Sequence, residues 1–445
     1  VLINCIIYKL YSNTTGNRPV DKNNRFNNAL DVISQDTVRI TEDLQRMLAV
    51  DTCFPPGSGY AAFADLMTQM LAPMQFAFQR VSVPEALWQA PDGSAQGERV
   101  NLLATLNCGA AENCNLYFHT DTVPAGDGWR FPPLALTVAE GRLYGRGAAD
   151  MKGTIVAAMA AIRSAQACGL PLRFNPVFLL CTDEEGGLYP GIRYLAEQQL
   201  FSGHLLSFNG GAVPRIWAGC FGSIDLKVIV SGRSAHSGDP VAGINAIETA
   251  LPLMNALYQL KGQVEQRTSA MPPPPHYQGK PLTSLLTLAA VHGGSKGSTI
   301  PERFELLINR RYAPEEAFEE VWQELTLCIS QAMAESRALD VSVQLIGHLA
   351  PVADPYGPHW PRWQAALSRG FGFADDAFKP WGSSTSSDMG WVQRAGIQEI
   401  LLGGLARPDN RIHAADEFTT MADIIALSQS ILAYLASDFQ PTQGI

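Results

Sequence analysis

Residues 176–182, Pro-Val-Phe-Leu-Leu-Cys-Thr, form a continuous apolar run. A strand of that kind is buried on both faces, so the sheet around it must be covered on both sides. The neighbouring segments supply the cover. Residues 29–48 and 60–71 have helical spacing, and 154–167 is an alanine-rich helix entered from a glycine loop. Residues 100–106, 115–119 and 204–208 read as short strands, and 188–200 suits another helix. Strands alternating with helices predict an α/β domain with a mixed, largely parallel sheet.

The pattern changes after residue 220. Ile224, Leu226, Val228 and Val230 alternate with polar neighbours, which marks a half-exposed strand. A helix over 243–260, strands over 282–292 and 303–312, a helix over 314–333 and a strand over 340–346 follow. The order β-α-β-β-α-β is the split βαβ, ferredoxin-like arrangement. It predicts a small unit, 221–348, inserted between catalytic parts 27–220 and 349–445. The prolines at 272–275 read as a stiff surface excursion in its long loop. The α/β pattern returns with a helix over 363–371, a strand over 399–402 and a terminal helix over 421–435. Residues 1–26 read as an atypical extension and stand outside this scheme.

Composition excludes several classes of function. With 46% hydrophobic and 17% charged residues, the 445-residue chain has an ordinary globular balance. The net charge of −10 and the lack of a basic patch argue against nucleic acid. No apolar run reaches the ~20 residues needed to span a bilayer. The eight cysteines include no Cys-x-x-Cys pair and several sit in apolar runs, which reads as buried thiols in a reducing, cytoplasmic setting.

Four clusters carry chemistry. His119-Thr120-Asp121 follows a strand, and residues two apart there point to one side. His119 can then ligate a metal while Asp121 orients it. Asp150 follows the glycine loop where a helix begins. Asp183, Glu184 and Glu185 close the buried strand, and a cation there would offset their mutual repulsion. His413 lies beyond the strand and glycines of Glu-Ile-Leu-Leu-Gly-Gly. Taken singly, these are a loop histidine, a helix cap, a solvated turn and a surface loop. Taken together, they put two histidines and several carboxylates at strand ends of one α/β domain, where ligands bind in such sheets. Mixed imidazole and carboxylate donors suit zinc.

From about Asp51 onward, the runs HTDTVP, GRGAADMKG, TDEEGG, SGRSAHSGDP and IHAADE resemble, in order, those of the M20 metallopeptidase family. The resemblance implies a catalytic domain with an inserted dimerisation lid. It also implies zinc-dependent hydrolysis of an amide bond in an N-acyl amino acid or short peptide, by a homodimer. Cobalt could replace the zinc. By that resemblance, Asp150 bridges two zinc ions, His119 serves one, and Glu185 and His413 serve the other. Glu184 is then the general base. His236 would reach the partner subunit's site and steady an oxyanion, or else be a polar loop histidine. Arg311 would grip a substrate carboxylate, or else be a strand-face arginine. Asn245, Gly403 and Gly404 are weaker substrate-site candidates, with a helix start and a chain turn as the alternatives.

The chain departs from the family in two places. Asn209 stands nearest the position of a further carboxylate ligand, and an amide oxygen is the poorer zinc ligand. Ser298 stands where the family often has asparagine, which bears on the substrate pocket. Asn209 motivates two alternatives: a one-metal enzyme, or a metal-poor, non-catalytic relative that binds acyl amino acids or a partner protein.

Overall fold

The computed structural model describes residues 22–89 and 93–440. Its larger sheet has six strands in the order Ala77–Ser82, Val100–Thr105, Asn175–Cys181, Asn113–His119, His204–Ser207, Ile400–Leu402. The first two pairings are antiparallel and the other three parallel. The apolar run is thus a central strand, as its composition required. The edge strand Ala77–Ser82 was not foreseen, because its residues are mostly exposed and carry no alternation.

Helices cover both faces. Lys152–Ala167 packs against Met421–Leu435 and against the two N-terminal helices. It is buried almost all round, and its alanines allow neighbours close on every side. Gly191–Glu197 and Met389–Arg394 cover the opposite face, around Tyr117, Leu179 and Leu205.

Several elements differ from expectation. The one helix expected over 29–48 is two, Lys22–Gln35 and Thr37–Leu48. Both pack on Lys152–Ala167, and Asp36 at the bend pairs with Arg163 at 3.1 Å. The first of them enters the stretch read as an extension, where Phe26 packs on Phe439; residues 1–21 lie outside the described residues. The helix expected over 188–200 starts only at Gly191, because Pro190, extended just ahead of it, disfavours the helical region for the residue before. That expected over 243–260 begins after Asn245 and is interrupted ahead of Pro252. The proline loop is no free excursion. Met271 is buried with Phe221 and Leu282, and Pro272 accepts a hydrogen bond from Gly382 N–H at 2.8 Å.

The second sheet runs Leu285–Gly293, Arg303–Tyr312, Gly222–Ser231, Asp340–Leu349, all antiparallel. This is the ferredoxin-like order. Ile224, Leu226, Val228 and Val230 point into its own core beneath the helices Leu251–Val264 and Phe318–Met333. A three-stranded strap joins the halves: Arg215–Cys220 lies between Val352–Ala353 and Lys379–Ser383. No helix among the described residues is long and apolar enough to cross a membrane.

Register decides where the site falls. His119 pairs with Cys181, Tyr117 with Ser207, and Ser207 with Leu402. The loops after these parallel strands, beginning at Thr120, Thr182, Phe208 and Gly403, therefore leave one edge of the sheet together.

Candidate metal centre

Asp150 lies between two imidazoles. Its Oδ1 is 3.0 Å from His119 Nε2 and its Oδ2 is 3.5 Å from His413 Nε2. His413 Nε2 also lies 3.0 Å from Glu185 Oε2. Donor atoms of His119, Asp150 and Glu185 fall within 4.8 Å of one another. His119 is fully buried, whereas half of the His413 side chain is open.

The strand end aims His119. Its Nδ1 is held 3.0 Å from the backbone carbonyl of Asp121, closer than the 3.8 Å to the Asp121 carboxylate. Asp121 Oδ2 accepts the Glu185 N–H at 2.8 Å, while Oδ1 is buried without a hydrogen-bond partner. Asp150 does not cap the helix after it; that helix starts at Lys152 with no side-chain cap. Its loop is instead gripped by Glu417. The Glu417 carboxylate accepts from the N–H groups of Gly147, Ala149 and Asp150 at 2.9–3.0 Å and from Arg146 at 2.6 Å.

The three adjacent carboxylates divide their work. Asp183 turns away, at a positive φ of 61°, to pair with Arg99 at 2.7 Å and accept from Tyr60 at 2.8 Å. Arg99 itself is packed over Trp88, 4.2 Å from the ring centroid. Glu184 and Glu185 face a cavity of about 300 Å³, also lined by Asp150, Asn209, Arg215, Ser386 and His413. Asn209 Nδ2 donates to Glu184 Oε1 at 2.7 Å.

Charge in the centre is unevenly held. Burial pushes the Glu184 carboxyl well above its usual range, opposed by His119 and reinforced by Asp388, Glu185 and Asp150. For Asp150 burial acts upward, but hydrogen bonds from both imidazoles outweigh it and hold its pKa well below the usual carboxylate range. Hydrogen bonds to Asp150 and Glu185 push His413 up to about 10. Without a metal, protons on the imidazoles thus balance the carboxylates, and a divalent cation would displace them.

The remaining candidates are spread more widely. Arg311 donates to Asn309 Oδ1 and, at 2.5 Å, to Ser386 Oγ, so it touches the cavity wall. His236 is exposed in the inserted unit, accepts the Gly238 N–H and does not line this cavity. Asn245 caps a helix through the N–H groups of Ile247 and Glu248. A Cβ on Gly403 would lie 2.6 Å from the Trp363 ring, and one on Gly404 2.1 Å from Gly210 O. Gly403 thus makes room for Trp363, and Gly404 lets the chain pass against the Asn209 segment. Ser298 accepts the Ser237 N–H through its backbone, away from the metal centre.

Three neighbours of the centre were not singled out from sequence. Glu417 sits in a run already noted, but its partners are 267–271 residues distant. Asp388 is buried, accepts from Tyr117, and is pushed up to about 6 by burial. Arg215 lies in a strand too short to show a period.

Residues 115–437 match the family model for peptidase family M20/M25/M40. Among solved structures, the chain is similar to the dipeptidase Dug1p of Saccharomyces cerevisiae, with 15% identity over 92% of this chain and 97% of that one and a TM-score of 0.74. It is similar to human carnosine dipeptidase 1, with 19% identity, 92% and 98% coverage and a TM-score of 0.72. An M20 family metallo-carboxypeptidase from Sulfolobus solfataricus matches at 16% identity, 88% and 98% coverage and a TM-score of 0.68.

Proposed function

Because the chain belongs to peptidase family M20/M25/M40, we propose that it is a zinc-dependent amidohydrolase acting on an N-acyl amino acid or short peptide. One observation carries the reading: both oxygens of Asp150 face imidazoles, with Glu185 alongside. The donor set fits a zinc-type ion, with two imidazoles and two carboxylates at one sheet edge. His119, Asp150, Glu185 and His413 would hold one or two such ions. A bound ion would lower the pKa of a water to about 7 and polarise the scissile carbonyl.

The chain's own groups do the rest. Glu184 is the general base: it faces the cavity, and burial raises its pKa, which favours taking up a proton. Asn209 fixes Glu184 Oε1 by hydrogen bond, which leaves Oε2 to accept the proton and later deliver it to the leaving amine. Arg311, at the wall beside Ser386, receives the substrate carboxylate. His236, exposed on the inserted unit, serves the partner subunit's cavity in a homodimer.

A second reading, a metal-poor binder of acyl amino acids, is favoured by one feature. Asn209 offers a neutral amide where a carboxylate would complete the cage. Hydrolysis of an acyl-amino-acid and dipeptide panel, with metal analysis on the same sample, separates the two. The enzyme reading expects turnover that a chelator abolishes and zinc restores. No turnover together with substoichiometric metal after zinc reconstitution would replace it with the binding reading.

A further inference from the structure

Arg215 lines the same cavity as Glu184 and His413, yet belongs to none of the runs that carry the metal reading. It opens the strap strand Arg215–Cys220, beside Lys379–Ser383. Its guanidinium lies over Trp381, 3.8 Å from the ring centroid, and its Nε donates to the Trp381 carbonyl at 2.9 Å. These contacts fix the plane of the group without neutralising it. Nη2 is buried with no hydrogen-bond partner, and no carboxylate among the described residues pairs with the group. Burial lowers its pKa to about 10, which still leaves it charged at neutral pH.

A partly buried cation without a counter-ion is costly, and a planar, pre-oriented fork is suited to a carboxylate. The rest of the cavity shows where that carboxylate would come from. Asp150, Glu184 and Glu185 make up its acidic part. Ser383, Thr385, Ser386 and Ser387 form a neutral polar wall, which Arg311 reaches by its bond to Ser386. Arg215 lines this cavity of about 300 Å³, room for a small substrate, and a second guanidinium, that of Arg311, stands behind its Ser386 wall. One suffices for the α-carboxylate of an amino acid.

We propose that Arg215 is a specificity-determining residue that selects substrates with a second carboxylate, namely N-acyl aspartates or glutamates and dipeptides containing an acidic residue. The proposal rests on the amidohydrolase reading for the rest of the cavity. It requires that a charged ligand and its isosteric amide be told apart by this one side chain.

The test is equilibrium binding of N-acetyl-L-glutamate and N-acetyl-L-glutamine to the full chain, supplied with zinc and carrying Glu184→Ala to prevent turnover. Arg215→Gln and Arg215→Lys are compared in that background, with circular dichroism verifying their fold. The expected result is a preference for the acid of roughly 10- to 100-fold. It should collapse to near unity in Arg215→Gln and return in part with Arg215→Lys. No preference in the parent, no binding of either ligand, or a preference that survives Arg215→Gln would overturn the proposal. Hydrolysis by the chain with Glu184 intact is scored separately. Selective binding without hydrolysis of any panel compound would sink the enzyme reading and leave the role of Arg215 standing.

Discussion

Glu417 Oε1 accepts the backbone N–H of Asp150 at 3.0 Å, so the residue between the two imidazoles is held by its main chain as well as its side chain. The same carboxylate takes the N–H groups of Gly147 and Ala149 and the Arg146 guanidinium. A short loop rich in glycine and alanine has little packing of its own to fix it. The buried carboxylate supplies the template that the loop lacks.

Glu417→Gln should therefore weaken metal binding without touching a metal donor. It removes acceptor capacity from the loop and leaves Arg146 buried without its counter-ion. Zinc affinity should fall roughly 10- to 100-fold, and stability by about 3–5 kcal/mol. A chelator competition and urea unfolding check the two effects, and wild-type zinc affinity in the variant would remove Glu417 from the support of the centre.

Glu184→Ala should lower kcat roughly 100- to 10,000-fold on whichever substrate the panel identifies, with zinc content unchanged. Metal analysis beside the kinetics distinguishes a lost base from a lost ligand. Wild-type rates would show that another group carries the proton.

Asn209→Asp tests the departure at the cage. It places a second carboxylate where Asn209 Nδ2 now sits 2.7 Å from Glu184 Oε1. Without metal the two acids repel and Glu184 becomes harder to ionise, so the metal-free chain should lose stability. With zinc the added charge should tighten binding, by roughly tenfold or more. Calorimetric titration reads both stoichiometry and affinity, and an affinity equal to wild type would place residue 209 beyond reach of the ion.

The pH dependence of stability has a source far from the metal. His204 is buried, stacked on His359 at 3.9 Å and hydrogen-bonded to Tyr434 at 2.7 Å. Burial, with the charge of His359, lowers its pKa from 6.5 to about 4. Above pH 6.5 it is neutral in both states and contributes no slope. As pH falls toward 4 the unfolded chain takes up the proton and the folded one does not, so stability is lost, by about 3 kcal/mol over that window. His204→Gln should flatten the slope between pH 6.5 and 4 relative to wild type, measured as urea midpoints across a pH series. Parallel curves for the two proteins would refute the assignment.

Much of this architecture is legible in the sequence where burial imposes a period. The helix Tyr60–Leu71, the strand Arg303–Tyr312 and the helix Met421–Leu435 fall where spacing put them, because each buries one face or is enclosed. The strap is not legible. Lys379–Ser383 contains Pro380 and Gly382, which argue against a strand, yet it pairs in parallel with Arg215–Cys220 in an irregular register. The site residues divide in the same way. His119, Asp150, Glu185 and His413 stand in compact runs whose chemistry is local. Glu417 and Arg215 owe their roles to partners brought up by the fold, and no spacing within their own segments signals that.

The centre is assembled from both sides of the inserted unit, with His119, Asp150 and Glu185 before it and His413 and the supporting Glu417 after it. A nascent chain emerging from the ribosome can build the ferredoxin-like unit and most of the central sheet before either of the last two residues exists. An ion held by all four donors can then be bound only once the closing segment has docked, and it favours the finished arrangement. Such an ion would act as a seal on completed synthesis, and a chain cut short before residue 413 would lack one of its four donors.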